Sequence, residues 1–278
     1  MAALPVVGGD ATLSGASVAL GATGKSSQIK GTLTATGAQG VTTAGTINAG
    51  SAKLTGGAVN NIGTVTASNT LTVTGSTITN SGTLGGATTS VHGTDVANAG
   101  LIGGQTVSVT ADNTLSNQNG TLLGTKSLAV AANTLTSNRN GVMFAGSPSG
   151  TTAGQGDLSA TVSGGNGSFN NAGGQILAGN NATINLRNQT VDGANLGTIN
   201  ANGALTYNVG AVANTGAWTV GGKTATINAA NGIANTGSIQ HAGDRCGDQQ
   251  RTDHRRQRSG GFGRRHQQRS RRDAARRS

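Results

Sequence analysis

The chain is poor in most of what a globular enzyme is made from. Its 278 residues include one cysteine, Cys246, two prolines, 2% aromatics and no glutamate. A single cysteine excludes an intramolecular disulfide and any site built on several thiolates. With aromatics nearly absent, the large side chains that usually anchor a globular core are missing. The first 243 residues hold five aspartates, at 10, 95, 112, 157 and 192, no two closer than 17 residues. Paired carboxylates for glycoside hydrolysis or acid–base work therefore have no local candidate, although Asp95 and Asp112 could stand on adjacent coils. The expectation is a non-enzyme with no catalytic, cofactor-binding or metal residues. No run approaches the roughly 18 apolar residues of a membrane span. The opening MAALPVVGGDATLSG lacks the charged region and apolar core of a signal peptide, so the chain reads as one that begins inside a longer product, or as a remnant of one.

What is present is a repeat. Between residues 58 and 146 an Asn, a small residue and a Gly precede short alternating apolar runs, again and again. The anchors Asn61, Asn80, Asn98, Asn117 and Asn138 are spaced 19, 18, 19 and 21 residues apart. A period near 20 is the mark of a solenoid. Inside each repeat the apolar positions alternate: Leu71 with Val73, Val107 with Val109, Leu128 with Val130. That is strand periodicity, one face buried and one wet. About 20 residues fit roughly three short strands and three tight turns. A coil that closes and climbs one strand spacing per turn is a parallel β-helix. Val73, Val109 and Val130 should then point inward, one above another. The glycines Gly63, Gly82, Gly100 and Gly216 are read as hard turns at positive φ, and the asparagines as a stacked amide ladder. An antiparallel Asn-Gly hairpin would explain the turns but not the period. Disorder fits less well, because the chain is rich in Thr and Val.

Residues 4–58 continue the pattern more loosely, with Gly45-Thr46-Ile47-Asn48-Ala49 as the start of a coil. Within them Ala19-Leu20-Gly21-Ala22-Thr23-Gly24-Lys25-Ser26 matches a relaxed phosphate-binding loop. Such a loop needs a helix after it. The following SSQIKGTLTATG is a poor helix, so a turn of the solenoid is expected. After Gly146 the rhythm breaks. From Asn138 to Asn171 is 33 residues, and a loop over 147–156 is expected to absorb the excess and to be nicked first by proteases, together with the tail. Gly164-Gly165-Asn166-Gly167-Ser168-Phe169 is similar to the start of a calcium-binding nonapeptide, but Phe169 stands where the ligand Asp belongs. Coils resume at Asn171, Asn195, Asn214 and Asn235. Trp218 and Tyr207 either plug the core, which is the expectation, or stand out as a sugar platform. His92 and His241 read as isolated. Thr64-Val65-Thr66 and Thr72-Val73-Thr74 raise ice binding, but such pairs do not recur in every coil.

At Gly243 the composition changes. Residues 244–278 carry 12 of the 14 arginines and four aspartates, a net +8, and no Val, Leu or Ile. The preceding body, 7 Lys plus Arg against 5 Asp, is only +2. The tail is expected to be a disordered basic segment with weak affinity for polyanions such as heparin or nucleic acid, which a salt-sensitive interaction lost on deleting it would mark. A second reading is an out-of-frame segment: Arg, Gln, His, Asp, Ser and Gly without Lys are what a GC-rich repeat gene yields one base out of register. The neighbouring frame downstream of codon 243 should then restore Asn-x-Gly repeats.

The stretches NNIGTVTASNTLTVTGSTITNSGTLGG and ANAGLIGGQTVSVTADNTLSNQNGTLLG resemble the shaft repeats of filamentous haemagglutinins and of contact-dependent growth-inhibition exoproteins of two-partner secretion systems. The resemblance covers about residues 30–243. It implies an all-β, right-handed parallel β-helix over 1–243 and a secreted or cell-surface location. It also implies export by an outer-membrane transporter, and a filament that presents an adhesin or toxin tip to receptors on host or neighbouring cells. This chain departs from a full member in showing no recognisable secretion domain and no toxin-like carboxyl domain.

Overall fold

The computed structural model describes residues 6–137, 139–147 and 155–242. The tail at 244–278, Asn138 and most of the 147–156 segment lie outside the described residues. The described chain is a parallel β-solenoid of about 11 turns with coils of about 20 residues. Along the three faces of each regular coil, residues pair with their counterparts one coil before and one coil after. Val73, for example, lies beside Leu54 on one side and Val91 on the other.

The alternation in the sequence sets the inside and the outside. One inward column runs Ala35, Leu54, Val73, Val91, Val109, Val130, Ala160, Ile184, Tyr207, each opposite the next. None of these nine is more than 2% exposed. The expected stack of Val73, Val109 and Val130 is therefore present, with Val91 between the first two. Their neighbours Thr72, Thr74, Ser108 and Thr110 lie on the outer surface. A narrow interior of this kind is filled by aliphatic side chains, which is why the chain can do without aromatics.

Three faces make up each coil; in one coil they are residues 46–49, 52–56 and 58–61. The expectation of three separate short strands per coil needs correction. Ser26–Thr43, Thr46–Asn61, Thr64–Asn80, Thr83–Asn98, Leu101–Ser116 and Thr121–Thr136 are each continuous strands of 16–18 residues. Two corners are bends inside a strand, marked by register slips such as that between Ala49 and Ala52. The ladder survives the bend because small residues let the coils stay close: a Cβ at Gly50 would lie 2.6 Å from the Lys30 carbonyl oxygen. Only the third corner, at Asn-x-Gly, interrupts the strand.

Later coils are broken into shorter pieces. After Ser137 come Val142–Ala145, Asp157–Val162 and Phe169–Asn170. The strands Val142–Ala145 and Asp157–Val162 belong to the first and second faces, and most of the segment between them, where the insertion was expected, lies outside the described residues. A second excursion, not anticipated from the sequence, occupies residues 163–168 at the next corner. It is closed by Ser168 N–H donating to the Gly165 carbonyl at 3.1 Å. The phosphate-loop look-alike spans a turn: the strand Ala11–Leu20 ends within it, residues 21–25 turn, and Ser26 begins the next strand. With no helix to aim amide groups at a phosphate, nothing there makes an anion cradle. No helix among the described residues is long and apolar enough to cross a membrane.

Candidate functional site

The most organised polar feature is the third corner. Asn61, Asn80, Asn98 and Asn117 are at most 2% exposed and stack inside it. Each side-chain amide donates to the carbonyl oxygen of the next: 2.7 Å from Asn61 to Asn80, 2.8 Å from Asn80 to Asn98, 2.8 Å from Asn98 to Asn117. The same nitrogens also donate to backbone carbonyls of the following coil, Thr83, Leu101 and Thr121. Hydroxyls close both ends. Thr43 Oγ1 donates to Asn61 Oδ1, and Ser137 Oγ accepts from Asn117 at 3.4 Å. Ser137 fills the position for which Asn138 was the expected anchor.

The glycines of the motif serve a different purpose from the one expected. None of Gly63, Gly82, Gly100 and Gly216 has positive φ. Gly63, Gly82 and Gly100 are glycines because backbones touch; at Gly216 the close atom is instead Ala194 Cβ, 2.9 Å from a would-be Cβ. A Cβ on Gly82 would lie 1.9 Å from the Gly63 carbonyl oxygen, and one on Gly100 would lie 2.0 Å from that of Gly82. In these coils the chain bends without a left-handed residue at the motif glycine and the cost falls on size instead, whereas Gly45 and Gly197 at the equivalent position do have positive φ.

A second correction concerns Asn195, expected as an anchor. Asp192 accepts from Ala194 N–H at 3.2 Å and closes a short 3-10 turn at Gly193–Asn195. That turn rotates Asn195 to the surface and buries Leu196. The ladder is cut there, and Asn214 Oδ1 is left without a hydrogen-bond partner among the described residues; Asn171 Oδ1, whose donor would come from the preceding coil, has none there either. A short ladder resumes from Asn214 to Asn235 at 2.8 Å.

Asn98→Ala tests the ladder. It leaves the buried Asn117 carbonyl oxygen without its donor and removes one of the two bonds of the Asn80 amide, which keeps the Leu101 carbonyl, and should lower stability by about 2–4 kcal/mol. Urea unfolding followed by circular dichroism reads this; a loss below about 0.5 kcal/mol would mean that the backbone ladder alone holds the corner.

Outside the ladder the titratable groups are scattered. Asp95 and Asp112 do stand on adjacent coils but are not paired. Asp95 accepts from Asn113 Nδ2 at 2.8 Å and from Thr114 N–H at 3.2 Å. Asp112 instead meets His92 Nε2 at 3.1 Å, so His92 is not isolated as the sequence implied. Both side chains are more than half exposed, and such a pair contributes little. His241 Nε2 lies 2.7 Å from the Gly222 carbonyl. The Thr215 hydroxyl, 2.6 Å from Asp192 Oδ2, holds that carboxyl below the usual range. Among the described residues no group of three or more His, Cys, Asp or Glu could hold a metal ion.

The two large aromatics are plugs. Tyr207 and Trp218 are 1% and 3% exposed and meet edge to face at 5.3 Å. Gly193 vacates the space that the indole fills. Burial raises the Tyr207 phenol above its ordinary pKa, so it stays neutral. Neither ring is available as a sugar platform. On the second face the outward columns read Thr34, Lys53, Thr72, Ser90, Ser108, Ala129 and Thr36, Thr55, Thr74, His92, Thr110, Ala131. Lys53, His92 and the two alanines break the hydroxyl pairs before they extend over successive coils, as an ice-matching surface would require.

The described residues therefore present a scaffold and no convergent reactive site. Comparison of the chain with protein-family models, with curated proteins and with solved structures finds no match in any of the three.

Proposed function

We propose that the chain is a structural shaft segment of a bacterial surface-exposed or secreted adhesin or haemagglutinin-like exoprotein, and that it is not an enzyme. Its work is reach. About 11 coils at a strand spacing of roughly 4.8 Å extend on the order of 50 Å. The observation that carries the reading is the coil-on-coil pairing from Ser26 to Thr136, in which each coil repeats the contacts of the one before except for slips at the corners. A surface so uniform holds something else at a distance. The transporter and the cell-surface receptors belong to the complete exoprotein. The arginine-rich segment 244–278, outside the described residues, supports a second reading, weak polyanion binding, through its charge alone.

If coils are interchangeable spacers, removing residues 62–98 should leave a folded protein. The deletion joins Asn61 to Ala99 and keeps Asn117 in register one coil above Asn61. Small-angle scattering should show a body shorter by about 10 Å, and thermal unfolding should remain cooperative. A deletion variant that fails to fold would show that these coils are not modular, and the shaft reading would lose its support.

A further inference from the structure

Five Asn-Gly dipeptides fall in the described residues, beginning at Asn119, Asn140, Asn166, Asn202 and Asn231, and all five asparagines are exposed. Asn-Gly is the dipeptide most open to intramolecular imide formation, because glycine puts no Cβ in the way of its own nitrogen. We infer that Asn166-Gly167 is a self-modification site, at which the folded protein converts one asparagine to aspartate and isoaspartate ahead of the others.

The step needs a free nucleophile, room and a polarised carbonyl. Gly167 sits at the third position of the turn closed by Ser168 and Gly165, with φ +83° and no atom within 4 Å of where a Cβ would be. Its N–H makes no hydrogen bond among the described residues. The electrophile is held from the other side: Thr190 N–H donates to Asn166 Oδ1 at 2.7 Å. This bond exists because residues 163–168 leave the coil path, so the Asn166 carboxamide stands in for a carbonyl of the coil below. A backbone N–H on that oxygen stabilises the negative charge that develops there when Cγ is attacked.

The other four sites each lack something. Gly203 N–H is tied to the Asn180 carbonyl at 2.7 Å and Gly120 N–H to that of Asn117 at 3.3 Å. Gly141 is buried in the third corner, 2.2 Å from the Asn117 carbonyl oxygen measured from a would-be Cβ. Gly232 is as open as Gly167, but among the described residues no donor holds the Asn231 side chain.

In the reaction the Gly167 nitrogen loses its proton to solvent base and bonds to Asn166 Cγ. The C–N bond of the carboxamide breaks, and ammonia leaves with a proton returned from solvent. One water then opens the five-membered imide at either carbonyl, giving aspartate or isoaspartate. The net exchange is water in and ammonia out, with no oxidant or reductant. The product places a negative charge on an exposed segment in a body with few charges. In the isoaspartate form it adds a methylene to the main chain at the turn.

The full-length protein, incubated at mildly alkaline pH both native and in denaturant, would be digested and mapped by mass spectrometry for the one-dalton gain at each site. In denaturant the five sites should react within a few-fold of one another. In the native protein Asn166 should lead Asn119, Asn140 and Asn202 by about tenfold or more, and Asn231 by about fivefold, the worth of one hydrogen bond. Asn166→Gln, which would need a six-membered ring, should remove the gain at 166 and leave the other four unchanged. Native rates at Asn166 no faster than at Asn202, or an Asn231 that overtakes it, would overturn the assignment.

Discussion

Val109→Asp should destabilise the solenoid by about 4 kcal/mol or more. Val109 is fully buried, stacked between Val91 and Val130. Removing the isopropyl group forfeits apolar burial, and the replacement sets a carboxyl where the column offers only hydrocarbon. Neither neighbour in the column can donate a hydrogen bond. The buried acid would be driven toward its neutral form, so its folded pKa rises above the unfolded value. The penalty is smallest below the unfolded pKa, grows as pH rises above it, and levels off beyond the folded pKa. The loss should therefore be smaller near pH 4 than at pH 7. Urea titrations at both values read it. A midpoint equal to the parent's at pH 7 would show that position 109 is not inward. Each coil contacts only its neighbours, so damage should spread by one coil in each direction before the remainder holds.

The second large effect concerns a residue with no side chain. Gly82→Ala places a methyl 1.9 Å from the Gly63 carbonyl oxygen and 2.8 Å from its carbon. Backbone in a hydrogen-bonded ladder cannot step aside as a flexible side chain would, so the two coils must part at this corner. The same corner holds the Asn61 to Asn80 bond, which would stretch with it. A cost of about 3 kcal/mol is expected, at the upper end for overpacking. Gly85→Ala is the control three residues away. Its nearest neighbour would be 3.7 Å off, an ordinary contact, and its stability should change by less than about 1 kcal/mol. Equal melting temperatures for the two variants would rule out the backbone-contact account of the motif.

These two residues also show what the sequence displayed and what it hid. The inward column was legible because burial on one strand face imposes period two, and the 20-residue spacing shows which residues align between coils. The need for glycine at 82 was legible, but its reason was not. A glycine in a turn suggests positive φ to a reader with one chain of letters, whereas close approach of two backbones appears only once the coils are stacked. Asn195 was misplaced for a similar reason. Asn195-Leu196-Gly197 is indistinguishable by spacing from Asn61-Ile62-Gly63, and the Asp192 cap that rotates it is a local hydrogen bond without a periodic signature. The excursion at 163–168 was not anticipated, because the 147–156 segment was expected to absorb the whole excess length. The Thr190 contact to Asn166 joins positions 24 residues apart and has no trace in the sequence.

The amide stack has a direction. From Thr43 to Ser137 every side-chain bond runs the same way, donor in the earlier coil and acceptor in the later one. A coil just completed at the carboxyl-terminal side therefore exposes N–H groups already aimed at where the next will lie. A coil arriving from the amino-terminal side finds only oxygens. For a chain that emerges amino end first, each finished layer is a template for the one still to come, and the hydroxyl of Ser137 is where that templating stops.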